Sequence, residues 1–431
     1  MSPSGSKKDT RHDPAGAVSL VVVGAGGRGT QYATFAQTYP DRARVVGVAE
    51  PRPFYRDRLV RTHGIPPGHV FTDWRQAADR PRFADAVLIC TQDAMHADPA
   101  VAFAEKGYAI LLEKPMAPNP ADCRRITDAV LRAGILFAVC HVMRYTAYTR
   151  RLRQLLDQGV IGDLVSIQLL EPVGYWHQAH SFVRGAWRNS LESSPMLLAK
   201  SCHDLDWLRH IMGVPCLRVS SFGSLSHFRP ENRPAGSADR CLDCAVEPHC
   251  PYSALKIYLG RLARGHTGWP VNVVAPEPTE ATVREALRTG PYGRCVYACD
   301  NDVVDHQVVA LEFQGGRSAV FTMTAFTQAR HRQVRLFGTR GEISGDGEQI
   351  QIFDFLTDSW RTVETQKADG SILGGHGGGD FGLMDAFIQA VARQDPSLIL
   401  SGPEETLESH LIVFAAEKAR HENRVVSPSD V

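Results

Sequence analysis

The chain lacks an excess of either charge: Lys and Arg together number 47, Asp and Glu 47, in 431 residues. Nucleic-acid binders and proteins seated on anionic membranes carry a basic surplus, so neither class fits. Long apolar runs are missing too, and none approaches the ~18 residues of a membrane-spanning helix. The opening segment MSPSGSKKDTRHDPAGAV has lysines but no apolar stretch behind them, unlike a secretory leader. Residues 1–17 therefore read as a solvated, disordered tail, and the expected compartment is the reducing cytoplasm. There is no internal repeat and no low-complexity tract, and collagen-like, coiled-coil and wholly disordered chains are excluded.

What is present is ordinary for a folded protein: 43% hydrophobic and 22% charged residues. The length suggests two or three domains. From residue 18 to about 140, β-branched runs (VSLVVV, RVVGVAE, ADAVLICT, AILLEKP, ILFAVC) alternate with helical segments. That pattern means βαβ units and a parallel sheet. Over 141–403 the strands lengthen and alternate polar with apolar (LVSIQLL, LRVSSFGSL, HQVVALEF, SAVFTMTAF, QVRLFG, QIQIFDF), predicting an open antiparallel sheet with one covered face. Residues 226–301 form an irregular Pro- and Cys-containing insertion, and residues 404–431 a terminal helix and tail. The fold class is α/β.

Gly24, Gly26 and Gly29 make G-x-G-x-x-G between the first strand and its helix. The glycines suit a tight turn, close approach of a pyrophosphate and close helix–strand packing, with the phosphates at the helix N-terminus. Glu50 ends the second strand about 20 residues on, where a carboxylate takes the ribose hydroxyls. Glu50 favours NAD, and Arg52 keeps NADP open by offering the 2′-phosphate a cation. Gly27, Arg28, Thr91, His96, Glu113 and Lys114 complete the candidate cofactor set.

The motifs GAGGRG, VAEP (48–51), Glu113-Lys114-Pro115, VMRYTAY (142–148), VIGDLVSI (160–167) and SCHDLDWL follow one another in order. In this series the chain resembles the Gfo/Idh/MocA family of sugar and polyol oxidoreductases. The resemblance implies a Rossmann domain, a C-terminal α/β domain on a large open sheet, and a homodimer or homotetramer. It implies that Lys114 lies beside the nicotinamide and the reacting hydroxyl, where a cation stabilises an alkoxide. A cis peptide before Pro115 is common in that motif. His203, with Asp206 three residues on, matches the family's catalytic histidine, whose pKa range suits a general base. The pattern departs where family dehydrogenases often carry an aspartate, four residues before this histidine. Ala199 stands there, followed by Lys200, a second candidate cation; Asp204 and Asp206 are both open as the group orienting His203.

Substrate candidates are Trp176, His180, Arg184 and Arg188 in the aromatic-rich segment GYWHQAHSFVRGAWR, since sugar sites pair aromatic faces with polar hydrogen-bonding groups. A structural loop over the sheet explains the same residues. His376, in a glycine-rich run that brings backbone close to a ligand, is a further candidate, or part of a mobile loop. His141, Arg144 and Tyr145 sit at the domain junction, as substrate contacts or as a hinge.

Of ten cysteines, Cys241-x2-Cys244-x5-Cys250 lies inside the insertion, closed by Cys295-x3-Cys299. Cys241, Cys244, Cys250 and either Cys299 or Cys295 would make a structural zinc site of four thiolates, giving folding energy to a segment with few apolar residues. An iron–sulfur cluster and reduced thiols are the alternatives.

The functional expectation is NAD-dependent hydride transfer at a ring carbon of a sugar, sugar derivative or cyclic polyol, with Lys114 and His203 as the pair. The alternative is a glycosidase or lyase that oxidises transiently, eliminates and re-reduces, a chemistry seen in relatives of this fold. A cofactor-binding regulator fits less well, because Lys114 and His203 are both retained.

Overall fold

The computed structural model describes residues 16–365 and 375–431, so nearly all of the expected N-terminal tail lies outside it. Strand Val18–Val23 (β1) is buried at every position, as a run without polar alternation must be when both sheet faces are covered. It pairs in parallel with Ala43–Ala49 (β2) and Ala86–Ile89 (β4). Val70–Phe71 (β3), Ala109–Leu112 (β5) and Phe137–Val139 (β6) complete a parallel sheet in the order β3-β2-β1-β4-β5-β6. One face packs on Tyr32, Ala33 and Phe35 of helix Gly27–Thr38, the other on Phe103, Ile126 and Val130. Helix Gly379–Arg393, far downstream, adds Leu383, Phe387, Ile388 and Val391 to the first face. The cofactor half is therefore completed by chain well past residue 140.

The second sheet has eight strands: Leu164–Pro172 (β7), Cys216–Ser224 (β8), His306–Phe313 (β9), Arg317–Thr324 (β10), Gln333–Gly338 (β11), Gly341–Gly345 (β12), Gln349–Asp354 (β13) and Ser359–Glu364 (β14). Their order is β14-β13-β12-β11-β7-β10-β9-β8, antiparallel except where β7 and β10 run parallel. Strands β12 and β14 are additions to the sequence reading; β12 has only five residues and β14 buries only Val363, so their periodicity is weak. Alternate residues such as Leu311, Phe321, Leu336 and Ile350 enter one core with Leu205, Trp207 and Ile412. The opposite face leaves Val165, Phe222, Val308 and Val320 exposed, confirming a sheet covered on one side.

Helix Pro403–Glu422 joins the two halves, packing on helices Pro120–Ala133 and Cys202–Met212 and on β8. The segment expected as a loop is instead a turn of helix, Tyr175–His177, continued by a π-helical stretch, Gln178–Arg184. The insertion also differs from expectation. Phe228, Ile257, Tyr258, Val271, Val283, Leu287 and Val296 give it an apolar core of its own, scattered in sequence and assembled by folding.

Candidate active site

The turn after β1 is shaped by sterics. Gly24 has φ +87°, and a Cβ there would meet the Cys90 carbonyl oxygen at 2.6 Å. A Cβ at Gly29 would stand 2.0 Å from the Gly24 carbonyl oxygen, whereas at Gly27 nothing lies within 4 Å. Helix Gly27–Thr38 starts without a side-chain cap, so its first N–H groups are free for an anion. Glu50, buried at the end of β2, accepts from the Ala25 N–H at 2.9 Å and from Arg52 Nε at 2.7 Å. Burial pushes its carboxyl up, but the hydrogen bonds from Arg52 win and hold it below the usual range. These residues fit a dinucleotide.

Arg28 and His96 serve the scaffold. Arg28 bonds Glu113 at 2.6 Å, Asp380 at 2.5 Å and the Tyr32 hydroxyl, tying the glycine turn to the Glu-Lys-Pro turn and to helix Gly379–Arg393. His96 bonds the Pro115 carbonyl at 2.8 Å and that of Thr91 at 3.2 Å. The Lys114–Pro115 peptide is cis.

Lys114 Nζ donates to the Ala199 carbonyl at 2.7 Å, immediately before the helix whose first turn carries His203. His141 lies edge-on to His203, ring centroids 5.7 Å apart, with Nδ1 3.6 Å from Asp206 Oδ2. Arg144 grips Asp206 with Nε at 2.8 Å and Nη2 at 2.7 Å. Burial opposes the charge on Asp206, but Arg144 and then His141 bring its pKa down to about 2. Burial pushes the His141 imidazole down to about 3, so it is neutral.

A second ion network adjoins this one. Arg332 Nε lies 2.7 Å from both Asp204 Oδ1 and Glu171 Oε2, and Lys200 Nζ lies 2.9 Å from Glu171 Oε1. Asp204 is thus committed to Arg332, and Asp206 faces the His141–His203 side. Sequence spacing showed nothing of Glu171, Arg332 or His410. The His410 ring lies tilted against His141, centroids 5.5 Å apart, and accepts from the Met116 N–H.

Residues 18–141 match the oxidoreductase family with an NAD-binding Rossmann fold, and residues 153–427 match that family's C-terminal alpha/beta domain. The chain belongs to the Gfo/Idh/MocA oxidoreductase family. It is 25% identical over 272 residues to a 2,7-anhydro-N-acetylneuraminate hydratase of Escherichia coli, covering 62% of this chain and 67% of the relative. It is 28% identical over 204 residues to an inositol 2-dehydrogenase of Streptomyces avermitilis, covering 47% and 55%. A levoglucosan dehydrogenase solved with NADH and levoglucosan shares the fold, with TM-score 0.65 and 18% identity over 95% of this chain and 99% of that one.

Within this Gfo/Idh/MocA scaffold most of the polar substrate candidates have internal partners. Arg144 also bonds Glu405 and the Leu400 carbonyl, and the Tyr145 hydroxyl bonds Ser401. His180 bonds the Tyr258 hydroxyl at 2.9 Å. Arg184, fully buried, donates to the carbonyls of Arg294 and Tyr252, and Arg188 pairs with Asp300 and Glu192. Of the set, His141 lies beside His203, and Trp176 is partly exposed on the segment after β7. The side chain of His376 lies outside the described residues.

The zinc expectation finds no support in the arrangement of the described residues. Cys241, Cys244, Cys250 and Cys295 do line one small cavity, while Cys299 is not part of that lining. Among the described residues, however, no group of three or more His, Cys, Asp or Glu side chains is arranged to hold a metal ion. Arg184 Nη2 donates to Cys241 Sγ at 3.5 Å, as does the Ala254 N–H. The insertion also has an apolar core, whose burial favours folding. Among the described residues, no helix is long and apolar enough to cross a membrane.

Proposed function

We propose that this protein oxidises a ring hydroxyl of a sugar, sugar derivative or cyclic polyol, or reduces the matching ketone, using NAD. A bound nicotinamide supplies the hydride acceptor or donor. The observation that carries the reading is Lys114 held at 2.7 Å on the Ala199 carbonyl, beside the helix turn bearing His203. An ammonium has three donors, so Lys114 keeps two for a substrate oxygen and stabilises it as an alkoxide. His203 takes the hydroxyl proton and returns it in reverse. Asp206, fixed by Arg144, positions His141 against His203. Glu50 at the ribose position favours NAD over NADP.

A second reading, redox-neutral elimination or hydration with recycled cofactor, is supported by the hydratase relative and by Lys200 and Arg332 beside the pair. The exposed apolar residues on the open sheet face support a homodimer or homotetramer.

The test follows NADH absorbance and released aglycone together, with enzyme, NAD and a panel of sugars, inositols and aryl glycosides. Stoichiometric NADH establishes the dehydrogenase; aglycone without net NADH selects the second reading. Lys114→Ala is expected to lower turnover by about 10²–10³ with NAD affinity nearly intact. Turnover like that of the wild type would remove Lys114 from its role.

A further inference from the structure

Trp269 belongs to the insertion, yet it packs on the helical segment that follows β7. Its ring lies 5.3 Å from Trp176, 4.9 Å from His177 and 5.4 Å from His180. Those contacts hold one side of the indole; the residue is still 50% exposed. The Arg261 guanidinium, also from the insertion, sits 3.9 Å over the Trp176 ring. Tyr175 and Trp187 on the same segment are also exposed, as is Phe326, whose neighbour Thr327 accepts from the Tyr175 N–H.

This rim is continuous with the catalytic networks. Glu171, which holds Lys200 and Arg332, is the penultimate residue of β7, and the helical segment bearing Trp176 and His177 begins just after that strand. Burial, followed by the charge of Lys200, pushes the His177 imidazole well below its ordinary range, and that ring lies against Trp269.

We infer that Trp269 and Trp176, backed by Arg261, form a platform for a second ring of the substrate, so that the preferred substrate is a glycoside or disaccharide and the insertion is its specificity element. The inference rests on the carbohydrate reading of the site. An indole fixed on one side and open on the other offers a flat apolar face to the C–H face of a sugar ring or to an aryl aglycone. The Arg261 guanidinium, which gives one N–H to the Ile257 carbonyl, has further donors for sugar hydroxyls.

The test uses the full-length protein with NAD and matched probes: glucose, galactose and mannose, each beside its 4-nitrophenyl glycoside. In the wild type the glycoside has the lower KM of its pair. Trp269→Ala narrows the ratio of the two KM values by about tenfold, and Trp269→Phe restores most of it. A ratio unchanged by Trp269→Ala overturns the platform. A shift in oligomeric mass with an unchanged ratio overturns it in favour of a protein contact. Absence of both NADH and aglycone from every wild-type pair overturns the carbohydrate reading itself. Ligand-observed NMR of the same glycosides then judges the platform alone, and equal saturation transfer with wild type and Trp269→Ala rejects it.

Discussion

The glycine turn and the cysteine-bearing insertion each display a short, specific spacing, and folding treats the two differently. In Gly24-x-Gly26-x-x-Gly29 the constraint is on backbone: a side chain at Gly29 would collide with the Gly24 carbonyl in the turn that leads into the helix. At Gly29 the turn itself imposes it, while at Gly24 the Cys90 carbonyl beyond β4 adds to it. In Cys241-x2-Cys244 the chemistry depends on partners supplied from elsewhere, and what gathers around one small cavity with them is Cys250, Cys295 and a buried arginine. The comparison teaches that a spacing is reliable to the extent that its physics is local.

The sharpest way to break that comparison is Gly29→Val, expected to abolish NAD binding in a calorimetric titration, because the turn cannot close around the added atoms. Retained micromolar binding would mean that the turn tolerates expansion. Acid should separate the regions next. His141 and His410 at the catalytic junction are kept neutral by burial, with pKa values pushed down to about 3 and about 4, against 6.5 when unfolded. Between those limits the unfolded chain binds more protons, so stability rises with pH and is lost as pH falls below about 6.5. Each histidine contributes a slope of roughly 1.4 kcal/mol per pH unit. Denaturation series from pH 7 to pH 4.5 would show this, and a flat profile would mean that these rings are solvated.

Inside the insertion, Leu287→Ala should cost about 3 kcal/mol by opening a cavity in its core. Cys244→Ser, at a half-buried thiol, should change stability by less than about 0.5 kcal/mol. Denaturant midpoints decide between them. A larger loss at Cys244 than at Leu287 would make the thiols the structural element and reverse the comparison.

Much of the fold was legible, for the reason the glycine turn was. Continuous β-branched runs marked the parallel strands and alternating runs the open sheet, because burial on one face or two writes a period into the chain. Strand β12 has only five residues and β14 buries only Val363, so neither carries that period, and the π-helical stretch Gln178–Arg184 follows neither period. At the site, Lys114, His203 and Glu50 stood out through motif context. Arg144 and Arg184 invited a substrate role because free arginines look alike in sequence; only packing showed their donors engaged with Asp206 and with backbone carbonyls.

By itself the sequence determined the glycine turn and the two kinds of sheet, since each is set largely by residues close in the chain or by burial periodicity. The tertiary structure alone decided that Asp206 pairs with Arg144 while Asp204 pairs with Arg332. It also brought Arg28 to Asp380, and Trp269 to the rim. Those pairings join side chains tens to hundreds of residues apart, and such contacts exist only once the core that aligns them has formed.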